Sequence, residues 1–179
     1  MRRSAIVFFL AMVLVLMVGA AALATPLTIS EPGSFFIFGE YAPANLGEFD
    51  DLNVFYAGVG YVVSDNFALG VLGEFDPWYN SYGGFVMLAL DPFLFKGEFV
   101  YSGSDWDTKL TALYVFQTGK LNVGIGGGVR FCDDFDDVGY FIEAAASYEI
   151  AKNLNIYGTV DYYPGDDYFT YSVGASLAF

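Results

Sequence analysis

The densest group of potential metal ligands in this chain is the run Asp133-Asp134-Phe135-Asp136-Asp137. Carboxylate oxygens are the ligands that Ca²⁺ and Mg²⁺ prefer in proteins, so Asp133, Asp134, Asp136 and Asp137 are the candidate metal ligands. The run lacks the glycine and the terminal glutamate of a helix-loop-helix calcium site. The alternative, which we favour, is a solvated acidic rim that opposes aggregation.

Acid–base and nucleophilic catalysis have few candidates in this sequence. The chain contains no histidine, and Cys132, its single cysteine, has no Cys or His partner for a zinc site. No pair of acidic residues stands out at a defined spacing. We therefore expect no enzymatic activity, and no cofactor other than Ca²⁺ or Mg²⁺ at the acidic loops.

The amino-terminal residues carry an export pattern. Arg2 and Arg3 precede an apolar run from Ala5 to Leu23, and the run closes on the small-x-small sequence Ala22-Leu23-Ala24. This predicts a cleaved signal peptide over residues 1–24. An uncleaved anchor is the alternative, because the run is near the ~20 residues that span a bilayer. We favour cleavage because no basic cluster follows the apolar run. Residues 25–33, which come next, are expected to form a short irregular segment before the first strand.

The remaining chain is strongly acidic. Loss of Arg2 and Arg3 leaves five basic residues against 21 acidic ones, a net charge of −16. Such a surface repels nucleic acid, so that class of partner is excluded.

From Ser34 onward the sequence shows a period of two and no helical period. Short turn sequences divide it into ten predicted strands: Ser34–Tyr41, Leu52–Val63, Phe67–Phe75, Phe85–Leu90, Phe93–Tyr101, Asp107–Phe116, Leu121–Phe131, Val138–Ile150, Leu154–Tyr163 and Tyr168–Phe179. The connections alternate between tight turns of two to four residues and mostly longer, more acidic loops. The alternative is eight strands, with the fourth and fifth segments misassigned because the fourth is short.

Charge follows the same alternation. In Phe93–Tyr101 the odd positions are apolar, and Lys96 and Glu98 lie on the opposite face. A Lys or Arg facing lipid at mid-depth costs about 2–4 kcal/mol, and a soluble barrel would instead place its apolar residues inside. The pattern predicts a transmembrane antiparallel up-and-down β-barrel over residues 34–179, with a charged interior. The predicted interior charges are Glu40, Glu74, Lys96, Glu98, Lys109, Arg130, Glu143 and Asp161.

The last predicted strand places apolar residues at every second position and ends on an aromatic residue: Tyr171, Val173, Ala175, Leu177 and Phe179. It resembles the carboxy-terminal strand of bacterial outer-membrane β-barrels, in which this pattern is the signal for the barrel assembly machinery. The sequences 60–70 and 148–158 resemble hairpins of small barrels related to the OmpA transmembrane domain.

This resemblance implies a location in the outer membrane of a Gram-negative-type bacterium, with outer-membrane lipid and lipopolysaccharide as surroundings. Divalent ions would then bridge the acidic rim to lipopolysaccharide phosphates. Enzymes that use barrels of this size resemble one another in using a histidine, which this chain lacks. The resemblance specifies a fold rather than an activity, and the oligomeric state stays open.

Two functions follow from a charged interior. In the hypothesis that we favour, paired charges plug the lumen and the barrel has a structural or surface role. Pairing is expected because isolated buried charge is costly. The alternative is a narrow cation-preferring channel, with Arg130 exchanging between acids such as Glu143 and Glu98. The glycines at 124, 126 and 128 would either leave a water path or admit bulky neighbours such as Tyr157. A less favoured hypothesis makes the aromatic residues of 78–82 an adhesive surface.

Overall fold

A computed structural model gives the fold of the protein and describes residues 31–43, 53–75, 80–103, 105–132 and 137–179. These residues form ten strands: β1 Phe35–Ala42, β2 Val54–Ser64, β3 Phe67–Phe75, β4 Asn80–Leu90, β5 Phe93–Tyr101, β6 Trp106–Thr118, β7 Leu121–Cys132, β8 Asp137–Ala151, β9 Leu154–Tyr163 and β10 Tyr168–Ala178. Each strand pairs antiparallel with its sequence neighbours, and β1 pairs with β10, which closes the barrel. The ten-stranded up-and-down barrel is confirmed, and the eight-stranded alternative is wrong.

No helix within these ranges is long and apolar enough to cross a membrane. The predicted signal peptide over residues 1–24 and most of the predicted irregular segment 25–33 lie outside the described residues.

The two rims of the barrel differ in their connections. At one rim, two-residue turns follow β2, β4, β6 and β8, and Phe35 and Phe179 exchange backbone hydrogen bonds of 2.9 and 3.0 Å. Gly119 and Asn153, in two of these turns, have φ of 64° and 65°, a left-handed conformation that Gly and Asn adopt most readily. We call this rim the short-turn end and the opposite rim the long-loop end.

The fourth strand begins earlier than the sequence predicts. The prediction assigned residues 76–84 to one of the longer loops, whereas β4 starts at Asn80 and includes Ser81-Tyr82-Gly83-Gly84. Its first residues pair with both neighbours, Tyr82 with Gly73 of β3 and with Tyr101 of β5. Two ladders of backbone hydrogen bonds therefore outweigh the local preference of glycine for turns. Tyr82, expected in a loop, is an exposed residue of the sheet.

The outer face of the barrel is apolar along every strand. On β6, for example, Leu110, Tyr114 and Phe116 are exposed, while Thr111 and Leu113 between them are buried. Soluble monomers rarely expose continuous apolar patches beyond a few hundred Å². An apolar belt around a closed sheet is the surface that hydrocarbon requires, because closure satisfies every backbone group of the spanning strands.

The barrel interior has an apolar half and a charged half. Apolar side chains pack together towards the short-turn end, and this apolar cluster consists of Phe36, Phe38, Val62, Ala68, Leu72, Phe85, Met87, Leu94, Leu113, Val115, Ala145, Tyr157 and Ala178. The sequence alternation predicted a polar interior. That expectation is wrong for this half, because the inner positions of β1, β4 and β5 near the turns carry Phe, Met and Leu.

Candidate functional site in the barrel interior

Four charged residues form one ion-pair network on one side of the lumen. Lys96 Nζ donates to Glu143 Oε1 at 2.6 Å, and Lys109 Nζ lies 3.4 Å from Glu143 Oε2. Lys109 Nζ also donates to Asp161 Oδ2 at 2.6 Å. The lysines come from β5 and β6 and the acids from β8 and β9, so the network bridges strands on both sides of β7.

Small residues and an aromatic ring on the intervening wall accommodate this network. Gly126 of β7 lies opposite Glu143 in the strand register, so no side chain stands between β6 and β8 at that level. The ring of Phe141 packs against Gly128 and carries Lys109 Nζ 4.5 Å from its centroid. A cation over an aromatic face gains electrostatic stabilisation. Gly128 therefore faces space that a ring occupies, and Tyr157 packs against Gly174 of β10 rather than against β7.

A second ion pair lies nearer the long-loop end. Arg130 Nε donates to Asp107 Oδ2 at 2.7 Å, and an Arg130 terminal nitrogen also contacts this oxygen. This pair links neighbouring strands β6 and β7, and both side chains are partly exposed. Arg130 pairs with neither Glu143 nor Glu98 in this structure.

Asp107 is a functional candidate that the sequence analysis missed. It lies at the edge of the predicted strand, where an acid is equally consistent with a loop. The signal was nevertheless present, because Asp107 is two residues from Lys109 and therefore shares its inner face.

Three further acids lie on the wall formed by β1 to β5. Glu40, Glu74 and Glu98 come from alternate strands β1, β3 and β5. The hydroxyl of Tyr56, on β2, donates to Glu74 Oε1 at 3.4 Å. Among the described residues, Glu40 and Glu98 form no ion pair with a base. The acids of β1, β3 and β5 thus give the lumen an excess of negative charge, while the acids of β8 and β9 are paired with lysines.

The inner side chains of the long-loop half line a cavity of about 340 Å³. All the predicted interior charges except Glu143 line it, and Glu143 lies behind Lys96, to which it is bonded. Phe38 and Leu72 line its base and belong also to the apolar cluster. The cavity therefore ends on packed apolar side chains rather than continuing towards the short-turn end at this point.

Aromatic rings seated on glycines give the apolar cluster its density. The rings of Phe36, Phe38 and Phe85 lie with centroids 5.6 to 6.5 Å apart. A Cβ on Gly60 would overlap the ring of Phe36, and a Cβ on Gly70 would meet that of Phe85. Glycine at these inner positions lets each ring lie flat against the sheet, so the rings fill the lumen.

The predicted metal ligands cannot be placed as a site. Asp133, Asp134 and Asp136 lie outside the described residues, and Asp137 begins β8 without a described side chain. Within the described ranges, no group of three or more Asp, Glu, Cys or His is arranged to hold a metal ion. Binding of Ca²⁺ or Mg²⁺ by this loop stays a prediction.

The residues of the predicted assembly signal lie on the outer face of β10. Tyr171, Val173, Leu177 and Phe179 are exposed there, and Ala175 shares their phase. Phe179 stacks on Phe35 of β1 with ring centroids 6.4 Å apart. The aromatic pair thus lies at the seam where the barrel closes.

A closed antiparallel barrel with an apolar outer belt and its charges on the inner face has the architecture of a transmembrane β-barrel. This is the fold implied by the resemblance to small outer-membrane barrels. The charges within it are arranged as pairs and as an acidic wall, with no constellation typical of hydrolysis among the described residues.

Comparison with known proteins finds similarity at the level of fold. The de novo designed TMB2.3, solved by NMR in solution, matches with a TM-score of 0.51 and 13% identity, over 83% of this chain and 95% of that one. The N-terminal β-barrel domain of Pseudomonas aeruginosa OprF matches with a TM-score of 0.44 and 14% identity, over 84% of this chain and all of that one. A mutant Rh. blastica porin matches with a TM-score of 0.41 and 16% identity, over 84% of this chain and 53% of that one. No protein-family model and no curated protein matches the sequence.

Proposed function

We propose that this protein is an integral outer-membrane barrel with a structural or surface role and a lumen closed to solutes. The apolar cluster carries the proposal, because Phe36, Phe38 and Phe85 are at most 7% exposed and fill the short-turn half of the lumen. A water-filled pore would instead keep polar side chains along its whole length. The protein would then serve the envelope without catalysis.

The ion-pair network supports the same function. Lys96 of β5 and Glu143 of β8, 6% and 0% exposed, bond to each other inside the barrel, next to the apolar cluster. Passage of an ion would require both the bonded charges and the packed rings to separate. The expected paired charges are therefore one part of the closure, and the apolar cluster is the other.

Planar-bilayer recordings of the refolded protein test this proposal. We expect the wild type to show no discrete conductance steps. The variant Phe36→Ala/Phe38→Ala/Phe85→Ala/Lys96→Ala/Glu143→Ala should conduct, because it removes both parts of the closure: three rings of the apolar cluster and the bonded Lys96–Glu143 pair. A matched variant with three outward rings truncated, Phe95→Ala/Phe99→Ala/Phe116→Ala, should stay silent. Cation-selective conductance steps in the wild type would contradict the closed lumen and would support a narrow channel instead.

A location in the outer membrane is part of the proposal. The apolar belt and the pattern of Tyr171 to Phe179 support it, as does the export pattern of residues 1–24. Contact of the belt with outer-membrane lipid, and bridging of the acidic loops to lipopolysaccharide phosphates by divalent ions, would follow from that location. Fractionation of expressing cells, together with the mass of the mature chain, tests membrane location and cleavage after Ala24.

A further inference from the structure

The exposed charges of the short-turn end are separated by sign around the rim. The turns after β2 and β4 carry Asp65 and Asp91. The turns after β6 and β8 carry Lys120 and Lys152, and all four side chains are exposed. The other bases of the described ranges line the lumen. The rim therefore has an acidic side, at β2 to β5, and a basic side, at β6 to β9.

Two further acids of this rim leave the separation in place. Gly33 N–H donates to the carbonyl of Val62 at 2.8 Å, which places the exposed Glu31 beside β2 on the acidic side. Glu149 N–H donates to the carbonyl of Lys120 at 3.0 Å, so Glu149 belongs to the basic side. The described basic side thus has two bases against one acid, and the described acidic side has acids alone.

Neither side is neutralised within its own barrel. None of the four turn charges forms an ion pair among the described residues. The acidic side is centred between β3 and β4 and the basic side between β7 and β8, four of the ten strand positions apart. That separation is about 144° around the closed barrel. The two sides therefore face away from each other and towards neighbouring molecules.

The four turn charges begin where the apolar belt ends. Each follows, within four residues, an exposed outward apolar side chain; these are Val63, Leu90, Phe116 and Ile150. Barrels that cross one bilayer in the same direction thus hold these charges at the same depth. Opposite charges at equal depth attract when an acidic side faces a basic side, and two turns on each side engage together.

We propose that the short-turn end is a self-association surface, whose partner is a second copy of this chain lying alongside in the membrane. Lys120 and Lys152 of one copy face Asp65 and Asp91 of the next, and the neighbouring outward side chains of the belt pack between the two barrels. The proposal rests on the membrane-spanning barrel, and it is independent of whether the lumen conducts.

The angle between the two sides determines the form of the assembly. The contact joins two different surfaces, so each copy keeps one side free for a further copy. A closed trimer requires the two contacts of one subunit to lie about 60° apart, whereas the acidic and basic sides lie about 144° apart. The barrels therefore associate in rows rather than in compact trimers.

Energy transfer between donor- and acceptor-labelled barrels tests the contact. Dyes are attached at Gly165→Cys, an exposed position at the long-loop end, in a Cys132→Ser background. The full-length chain is refolded from one side into uncharged phosphatidylcholine vesicles, and heat-dependent gel mobility confirms insertion first. We expect energy transfer that rises with the protein-to-lipid ratio and falls in about 0.5 M NaCl, because salt screens exposed charges.

Charge exchange between the two sides gives the sharpest comparison. Lys120→Asp/Lys152→Asp and Asp65→Lys/Asp91→Lys should each weaken self-association at least fivefold, because all sides then repel. The chain with all four replacements should associate within twofold of the wild type. Asp105→Lys/Asp166→Lys, which makes the same charge change at the long-loop end, is the control and should also stay within twofold.

The wild type provides a second measurement if a variant does not insert. Treatment of the vesicles with a carbodiimide, which joins amines to carboxylates, should give a ladder of dimers, trimers and longer products. Mass spectrometry of the dimer should find Lys152 joined to Asp65, a link between turns on different sides of one barrel. A ladder that ends at the trimer, or a dimer without this link, would overturn the proposal.

The variants can overturn it in two further ways. One is failure of the fourfold replacement to restore association in inserted barrels. The other is weakening by Lys120→Asp/Lys152→Asp with no effect of Asp65→Lys/Asp91→Lys, since the lysines would then serve another ligand, such as lipid phosphate. Failure of insertion itself would instead count against the membrane-spanning barrel.

Discussion

Glu143 is the most deeply buried charged residue that the structure describes. It is 0% exposed and lies within 2.6 Å of Lys96 and 3.4 Å of Lys109. Taking a carboxylate and two ammonium groups out of water is costly, and only close pairing offsets that cost. The stability of the interior therefore depends on each buried charge keeping a partner of opposite charge.

Replacing Glu143 by Gln should destabilise the barrel by about 3–5 kcal/mol, because Lys96 would stay buried without a counter-charge. Unfolding in urea, followed by tryptophan fluorescence in lipid vesicles, measures this loss. Adding Lys96→Met to the same chain should restore most of the stability, since it removes the isolated charge.

Glu149→Gln is the matched control for this prediction. Glu149 belongs to the same strand but lies near the short-turn end, and it forms no ion pair among the described residues. Its replacement should change stability by less than about 0.5 kcal/mol. Equal effects of the two Glu→Gln replacements would contradict a structural role for the network.

The sequence assigns these charges to a face but not to partners. Alternation alone places Lys96 inside, because Phe95 and Gly97 beside it must face outward. Its partner Glu143 is 47 residues away on a strand three places around the barrel. Which acid a lysine reaches depends on the curvature of the closed sheet and on the missing side chain at Gly126. The period of two in the sequence shows neither the curvature of the sheet nor the space left at Gly126.

At the scale of elements, β1 and β2 pack closely because aromatic rings of β1 lie on glycines of β2. Phe36 pairs with Gly60 in the register and lies over it, and Phe38 pairs with Gly58 in the same way. The strands of the short-turn half are thereby held close around a filled lumen. The sequence does not predict this packing, because an inner Phe and an inner Gly are each compatible with a strand, and neither shows which residue it contacts on the neighbouring strand.

Gly60→Ala should therefore destabilise the barrel by about 1–3 kcal/mol, the usual cost of forcing extra volume into a packed core. Gly39→Ala is its control, because Gly39 faces outward and its nearest side-chain atom, on Phe55, lies 3.4 Å from the added methyl. That change should be close to neutral in vesicles. The prediction fails if both replacements shift the urea midpoint by the same amount.

The seam between β1 and β10 is the second element-level feature. Phe179→Ala should impair membrane insertion in cells more than it lowers the stability of the refolded barrel, because the ring is 66% exposed on the finished seam. The fraction of heat-modifiable protein in membranes, compared with urea unfolding of refolded protein, separates the two effects. Phe116→Ala, an outward ring away from the seam, should insert normally. Normal insertion of Phe179→Ala would contradict an assembly role for this residue.

The start of β4 shows where local sequence misleads. Gly83 and Gly84 have the composition of a turn, yet they pair with Leu72 and Val71 of β3. A strand with partners on both sides gains backbone hydrogen bonds that no local preference includes. By contrast, the boundaries of β3, β5 and β9 match the prediction, because each is flanked by turn residues and alternates throughout.

At the scale of the whole molecule, the barrel separates three environments. Apolar side chains face outward along its length, packed apolar rings fill one half of the lumen, and charges with a cavity occupy the other half. The outer belt and the strand count were predictable, because both follow from period and turn spacing. The division of the lumen was not, since it depends on which inner residues meet across the closed sheet.

Spin-label accessibility along β6 in lipid vesicles tests the central claim most directly. Nitroxides attached at successive cysteine substitutions from Leu110 to Phe116, in a Cys132→Ser background, report contact with oxygen dissolved in lipid and with a water-soluble nickel complex. Oxygen contact should peak at 110, 112, 114 and 116 and fall at 111, 113 and 115, with low nickel contact throughout. High nickel contact at the even positions, or oxygen contact without a period of two, would contradict a barrel that spans the membrane with a packed interior.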